Sequence, residues 1–190
     1  MNVLYTMSMF ISCVYASLTG CNDIFIDMGA NVGVNALFLY ANRSFFHKSK
    51  GMRPYMNSVF GKSRKHVCYR GFEPNPLYTK RLKRFESMAT SYNMNFMDYA
   101  IGISNKNTTF YKKNNDPHMV GFGHTYNRKY VPYTVTVIDI GTWITKHVNP
   151  NATVMVKMDI EGSEYEVLFN LLTSGVLCNY IDYLSIEFHE

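Results

Sequence analysis

Within seven residues, Asp27-Met28-Gly29-Ala30-Asn31-Val32-Gly33 gathers an acid, an asparagine and two glycines, directly after the apolar run Ile24-Phe25-Ile26. Gly29 permits a backbone turn that a Cβ would hinder, and Gly33 lets a following helix pack near the strand. The start of that helix presents free N–H groups to a polar or carboxylate-bearing ligand. The spacing is not G-x-G-x-x-G, and the GK[ST] ending of a phosphate-binding P-loop is missing. An Asp pointing into such a loop repels a pyrophosphate and suits a cationic amino group. Forty-six residues later Glu73 closes a second apolar run, where open α/β sheets use an acid to accept hydrogen bonds from ribose hydroxyls. An amino-acid end near Asp27 and a ribose near Glu73 describe S-adenosylmethionine as the expected cofactor.

A second concentration of chemistry lies in Lys157-Met158-Asp159-Ile160-Glu161-Gly162-Ser163-Glu164. Lys157, Asp159 and Glu161 alternate along a strand and just past it, so they share a face. Ligands of such sheets bind at the carboxyl ends of the strands, which turns Asp159 toward the crevice. Glu187 and His189 end the next strand and are expected to face the same way. Asp159 is the first candidate for orienting an acceptor hydroxyl or taking its proton, and His189 is the second. Glu161 and Glu164 have a competing explanation, because acids in a first helical turn stabilise its dipole. An Asp/Glu/His cluster also offers oxygen ligands to a divalent cation, but no tight ligand motif supports one, and no metal is assigned. His124, in Gly121-Phe122-Gly123-His124, reads as a solvated loop histidine ahead of an acceptor-pocket residue.

The elements that must position these groups follow from periodicity. Strands are expected at 24–27, 67–72, 95–101, 153–160 and 181–188, with shorter, more exposed ones at 108–113 and 133–137. A helix follows Gly33. Another opens on Asn75 as N-cap and Pro76 as first residue, carrying Tyr78, Leu82, Phe85 and Ala89 inward. A short helix surrounds Trp143. A further helix begins at Ser163, with Glu166 completing a capping box and Tyr165, Leu168, Phe169 and Leu172 as its apolar face. Strands alternating with helices at this spacing mean βαβ units, an α/β fold and a mostly parallel sheet with helices on both faces.

Three blocks together resemble one family. Ile26-Asp27-Met28-Gly29-Ala30-Asn31-Val32-Gly33, then Gly71-Phe72-Glu73-Pro74-Asn75-Pro76, then Val156 through Glu164 look like the motif set of the FkbM-type methyltransferases. The resemblance covers roughly 22–189 and implies a Rossmann-like class I sheet and S-adenosylmethionine-dependent methylation, most often of an oxygen on a small molecule or sugar. It implies that Asp27, Gly29, Ala30, Asn31 and Gly33 hold the methionine end of the cofactor and Glu73, with Asn75 beside it, the ribose. Asp98 and Ala100, near the end of the third strand, become the neighbours of the adenine. A complete sheet of this class has seven strands, the last two forming an antiparallel pair. The sequence stops one residue after His189, so that pair is expected to be missing and the fifth strand to be left uncovered.

At 190 residues, 47% apolar and 17% charged, the chain suits a single domain over 1–190 and excludes a disordered or collagen-like polymer. Within it, 1–20 reads as an amphipathic helix, 41–66 as a basic, turn-rich insertion and 103–134 as a variable hairpin and loop region. The net charge of +5 is uneven. No acid lies between Asp27 and Glu73, where there are eight Lys or Arg, whereas 139–190 has eight acids against Lys146 and Lys157. If the basic insertion reaches the crevice, it favours an anionic acceptor. Its interleaved aromatics also admit a nucleic-acid methyltransferase, although a solvated insertion is preferred and nucleic acid is not the expected partner. An inert methyltransferase-like binding module is the remaining alternative, and the missing G-x-G-x-x-G argues against an NAD enzyme. The four cysteines share no CxxC spacing and read as buried thiols. No segment reaches the roughly 20 apolar residues of a membrane span. The cytoplasm is the default compartment, and secretion or anchoring follows only if the apolar N-terminus is a signal; only then do the sequons at Asn42, Asn107 and Asn151 matter.

Overall fold

A computed structural model describes residues 18, 20–40, 52–113 and 130–189. The expected N-terminal helix, residues 41–51 and the loop carrying His124 lie outside them. Five strands form one parallel sheet: β1 (Asp23–Met28), β2 (Cys68–Phe72), β3 (Met94–Met97), β7 (Thr153–Met158) and β8 (Tyr183–Ile186). Their order is β3-β2-β1-β7-β8, so the chain grows outward from β1 in one direction and then restarts on its other side. This is the α/β, mostly parallel arrangement that the periodicity implied, and it is Rossmann-like, as the family resemblance implied. The register pairs Met28 with both Phe72 and Met158, so β1, β2 and β7 end level and their following loops emerge side by side.

Alternation along β1 sorts the core. Ile24, Ile26 and Met28 join Phe72, Val154, Val156 and Met158 on one face. That face is covered by α4 (Ile140–His147), α5 (Glu164–Thr173) and α6 (Val176–Tyr180). Phe25 joins Tyr69, Phe96 and Met155 on the other, under α1 (Val34–Tyr40), α2 (Arg53–Phe60) and α3 (Pro76–Met88). A phenylalanine buried as fully as Phe25 contributes about 2–3 kcal/mol of transfer free energy. The α3 N-terminus is as expected: the Asn75 side chain accepts the Leu77 N–H at 3.1 Å, Pro76 follows, and Leu82 is buried.

Several expectations are corrected. The run 95–101 is two strands, broken at Asp98. Its first half, β3, pairs with β2, whereas β4 (Tyr99–Gly102) leaves for a second sheet. There β6 (Tyr130–Asp139) lies between β4, parallel to it, and β5 (Lys106–Lys113), antiparallel. The basic insertion contains a helix, α2, which buries Met56 and Phe60 against the α1 side of the core. On α5, Tyr165, Phe169 and Leu172 are exposed, while Val167, Leu171 and the carboxylate of Glu164 are buried. The helix is apolar on two sides, and packing buries the one that carries Val167 and Leu171. Ser163 makes no side-chain cap, so the expected capping box does not form.

Cys21 and Cys68 are joined in a disulfide. The free-thiol reading is corrected for these two, because pairing of Ile24 with Cys68 brings the approach to β1 beside the start of β2. Cys178 is free and exposed rather than buried. Among the described residues no helix is long and apolar enough to cross a membrane.

Candidate active site

The level ends of β1, β2 and β7 open into a cleft of about 650 Å³ including its mouth. Gly29, Asn31, Glu73, Asn75, Ala100 and Asp159, all singled out from the sequence, line it. Tyr78, Tyr99 and Phe110 supply an aromatic wall that the sequence reading did not assign, and the second sheet places two of them, through β4 and β5. Asp98, two residues before Ala100, is exposed and accepts the Thr79 hydroxyl at 3.1 Å; it is not among the residues that line the cleft.

Glu73 is the keystone of the half of the cleft between β1 and β2. One oxygen accepts the Asn31 N–H at 2.7 Å and the other the Asn75 N–H at 2.9 Å, which fastens the loop after β1 to the start of α3. Burial raises its carboxyl from the ordinary 4.5 to about 7, against the lowering effect of those two amide bonds. Gly29 is required by close approach as well as by its φ of +83°. A Cβ there would stand 1.8 Å from the Asp159 carbonyl oxygen. Ala30 is buried, and its N–H, like that of Gly29, bonds to Phe72 O. Gly33, at φ +81°, sits close to α3 and β3: an added Cβ would meet Leu82 at 3.2 Å and Phe85 and Phe96 at 3.4 Å.

Asp27 stands behind the loop and not in it. Its carboxylate is fully buried, taking the Tyr69 hydroxyl at 2.6 Å and the Asn35 amide at 3.1 Å. Burial raises its pKa, opposed by the Lys157 ammonium 3.9 Å away. Burial and the neighbouring Asp27 likewise push the Tyr69 hydroxyl well up. Lys157, named from the sequence only as a face-sharing neighbour, proves to be the connector. Its Nζ donates to Gly29 O at 3.1 Å and to Asp159 Oδ2 at 2.7 Å. One cation thus joins the glycine loop, the buried Asp27 and the cleft carboxylate Asp159.

At the β7 side, His189 reaches Asp159 and Glu164. Its Nε2 is 3.6 Å from Asp159 Oδ1, and its Nδ1 is 2.9 Å from Glu164 Oε1. Glu187 is exposed and stays outside. One donor atom each from Asp159, Glu161 and His189 lie within 4.8 Å of one another, a set compatible with a divalent cation or with a bare acid–base cluster. For Glu164 the sequence offers the helix dipole as a competing explanation beside a role in the site. Its side chain instead accepts the Ile160 N–H at 2.8 Å and the Gly162 N–H at 3.0 Å, closing the turn in which Glu161 adopts φ +57°.

The basic run lies elsewhere. His66 pairs with Asp23 at the first residue of β1, and Arg64 donates to the Phe38 and Leu39 carbonyls of α1. Residues 52–66 therefore occupy the N-terminal edge of the sheet, opposite the cleft. The condition set for an anionic acceptor, a basic insertion that reaches the crevice, is not met by this part of it, because α2 buries Met56 and Phe60 on the α1 side of the core.

A family model described as the methyltransferase FkbM domain matches residues 27–190. A solved structure of methyltransferase FkbM from Methylobacillus flagellatus is similar over 84% of this chain, with a TM-score of 0.43 and 14% identity. The chain spans 38% of that protein's length. No curated protein matches.

Proposed function

The chain belongs to the FkbM methyltransferase domain family, and from that premise we propose that it transfers a methyl group from S-adenosylmethionine to a hydroxyl of a small-molecule or carbohydrate acceptor. The observation that carries the reading is the division of one cleft into two chemically different ends. Glu73, Asn31 and Asn75 form a polar end beside the aromatic wall of Tyr78, Tyr99 and Phe110. Asp159, with His189 beside it, forms an acidic end at the close of β7.

The residues fit this cofactor. Glu73 keeps free acceptor capacity on both oxygens for ribose hydroxyls, and the aromatic wall beside Ala100 suits a purine. The backbone of Gly29 and Asn31 borders the place for the methionine end. Asp27, lying behind the loop, serves through Lys157 and Asn35, holding the loop's shape and its local charge. The cofactor supplies an electrophilic methyl group on a sulfonium. The protein's share is to bring an acceptor oxygen into line with it and to receive the hydroxyl proton. In this reading Asp159 orients that hydroxyl; one of its oxygens is bonded to Lys157 and the other faces His189.

Calorimetry with S-adenosylhomocysteine tests the first half: micromolar binding is expected, weakened at least tenfold in Glu73→Ala. Turnover on a panel of hydroxyl acceptors, comparing wild type with Asp159→Asn, tests the second. Binding without methyl transfer to any acceptor would favour an inert binding module.

A further inference from the structure

Glu164 has a buried carboxylate that the methyl-transfer reading leaves unused. Burial pushes its pKa up, but the bonds from His189 and from the backbone N–H groups outweigh this and hold it below the usual carboxylate range. An ionised carboxylate only accepts hydrogen bonds, so the proton between it and His189 sits on Nδ1. The ring atom left for chemistry is Nε2, which points at Asp159 Oδ1 on the wall of the cleft. The attachment is braced: Phe188 stacks on Tyr165 of α5 with ring centroids 4.6 Å apart, so His189 is carried by the helix that also bears Glu164.

We propose that Glu164 is a positioning residue that locks His189 in its Nδ1–H form, so that Nε2 takes the proton of the acceptor hydroxyl. The proposal rests on the methyl-transfer reading. In the step, the hydroxyl oxygen bonds to the methyl carbon. The carbon–sulfur bond breaks with its electron pair passing to the sulfonium sulfur, and the hydroxyl proton passes to Nε2. The imidazolium so formed faces Glu164, Asp159 and Glu161, three carboxylates that favour its charge, with Lys157 held on the far oxygen of Asp159. The arrangement is that of a carboxylate-oriented histidine base, built at the end of a parallel sheet.

The test has one readout without turnover and one with it. Nitrogen-15 NMR of the imidazoles in the full chain, with His189 identified by its loss in His189→Ala, is expected to show the Nδ1–H tautomer and a midpoint above the ordinary 6.5. In Glu164→Gln the tautomer bias and the elevated midpoint should disappear. The kcat should fall by about a hundred- to ten-thousand-fold with acceptor KM nearly unchanged, and the acid limb of the kcat profile should move to lower pH. His189→Gln, which leaves an amide for Glu164, should lose as much rate and lose the limb altogether. An Nε2–H tautomer in the wild type, or a Glu164→Gln enzyme with wild-type rate and profile, overturns the proposal. Abolition of activity by EDTA, restored by Mn²⁺ that broadens the His189 signal, also overturns it by placing Nε2 on a cation. A wild type inactive on every acceptor refutes the methyl-transfer reading instead, and the tautomer measurement still decides what Glu164 does to His189.

Discussion

Replacing Glu73 by glutamine separates what this residue costs the fold from what it contributes to the site. Its carboxyl is held to about pH 7 in the folded protein by burial, against 4.5 ordinarily. A folded-state value above the unfolded one means that the native chain binds the proton more tightly. The associated stability is therefore fully present below pH 4.5 and is lost as pH rises through 7. A difference of about 2.5 in pKa at 1.36 kcal/mol each amounts to about 3 kcal/mol between pH 4 and pH 8. The glutamine side chain cannot ionise, so the Glu73→Gln variant lacks this slope. Its amide accepts from only one of the Asn31 and Asn75 N–H groups, a pH-independent penalty of about 1–3 kcal/mol. Urea unfolding of both proteins at pH 4 and pH 8, disulfide intact, should show the variant gaining about 3 kcal/mol relative to wild type across that range. At an m-value of about 2 kcal/mol/M this is about 1.5 M in midpoint. S-adenosylhomocysteine affinity should drop in the same variant, and wild-type affinity should decline below about pH 7. Parallel stability curves for the two proteins would refute the argument, because the buried charge would then cost nothing.

Other expectations follow from single contacts. Gly29→Ala should lower thermal stability and abolish cofactor binding together, since the added methyl would meet the Asp159 carbonyl at 1.8 Å on two backbone segments that cannot both yield. Lys157→Met leaves the buried Asp27 and the Asp159 carboxylate without their shared cation; a loss of about 3 kcal/mol in urea unfolding is expected, smaller at low pH, where Asp27 takes up a proton. Cys68→Ser opens a loop of 47 residues, for which chain entropy predicts about 4 kcal/mol, readable as a reductant-sensitive melting temperature in wild type only. Phe169→Ser, on the exposed row of α5, should change stability by less than about 0.5 kcal/mol, whereas Val167→Ala on the same helix should cost about 1–2 kcal/mol.

Much of the scaffold was legible because local rules agree with one another. Apolar β-branched runs, glycine after β1, and Asn75-Pro76 before α3 each name an element and its boundary without reference to the rest of the chain. The break at Asp98 was not legible: 94–102 has one continuous strand pattern, and only competition between β2 and β6 for its backbone splits it. The face of α5 was misassigned because Tyr165, Phe169 and Leu172 are as apolar as the residues that are buried, so periodicity has two solutions. The fate of the basic insertion needed the position of α2 under α1.

The site divides along the same line. Sequence by itself singled out Gly29, Asn31, Glu73, Asn75 and Asp159, which all line the cleft, because each sits at or just past the end of a strand and strand ends converge in a parallel sheet. It could not determine that Asp27 turns inward to Tyr69 while Asp159, also an acid at a strand end, lines the opening. Nor could it show that Lys157 joins the two, or that Glu164 reaches His189 across 25 positions of chain. Those outcomes depend on side chains from different elements meeting within hydrogen-bond distance, a closeness that register and packing decide and that residue type and spacing leave open.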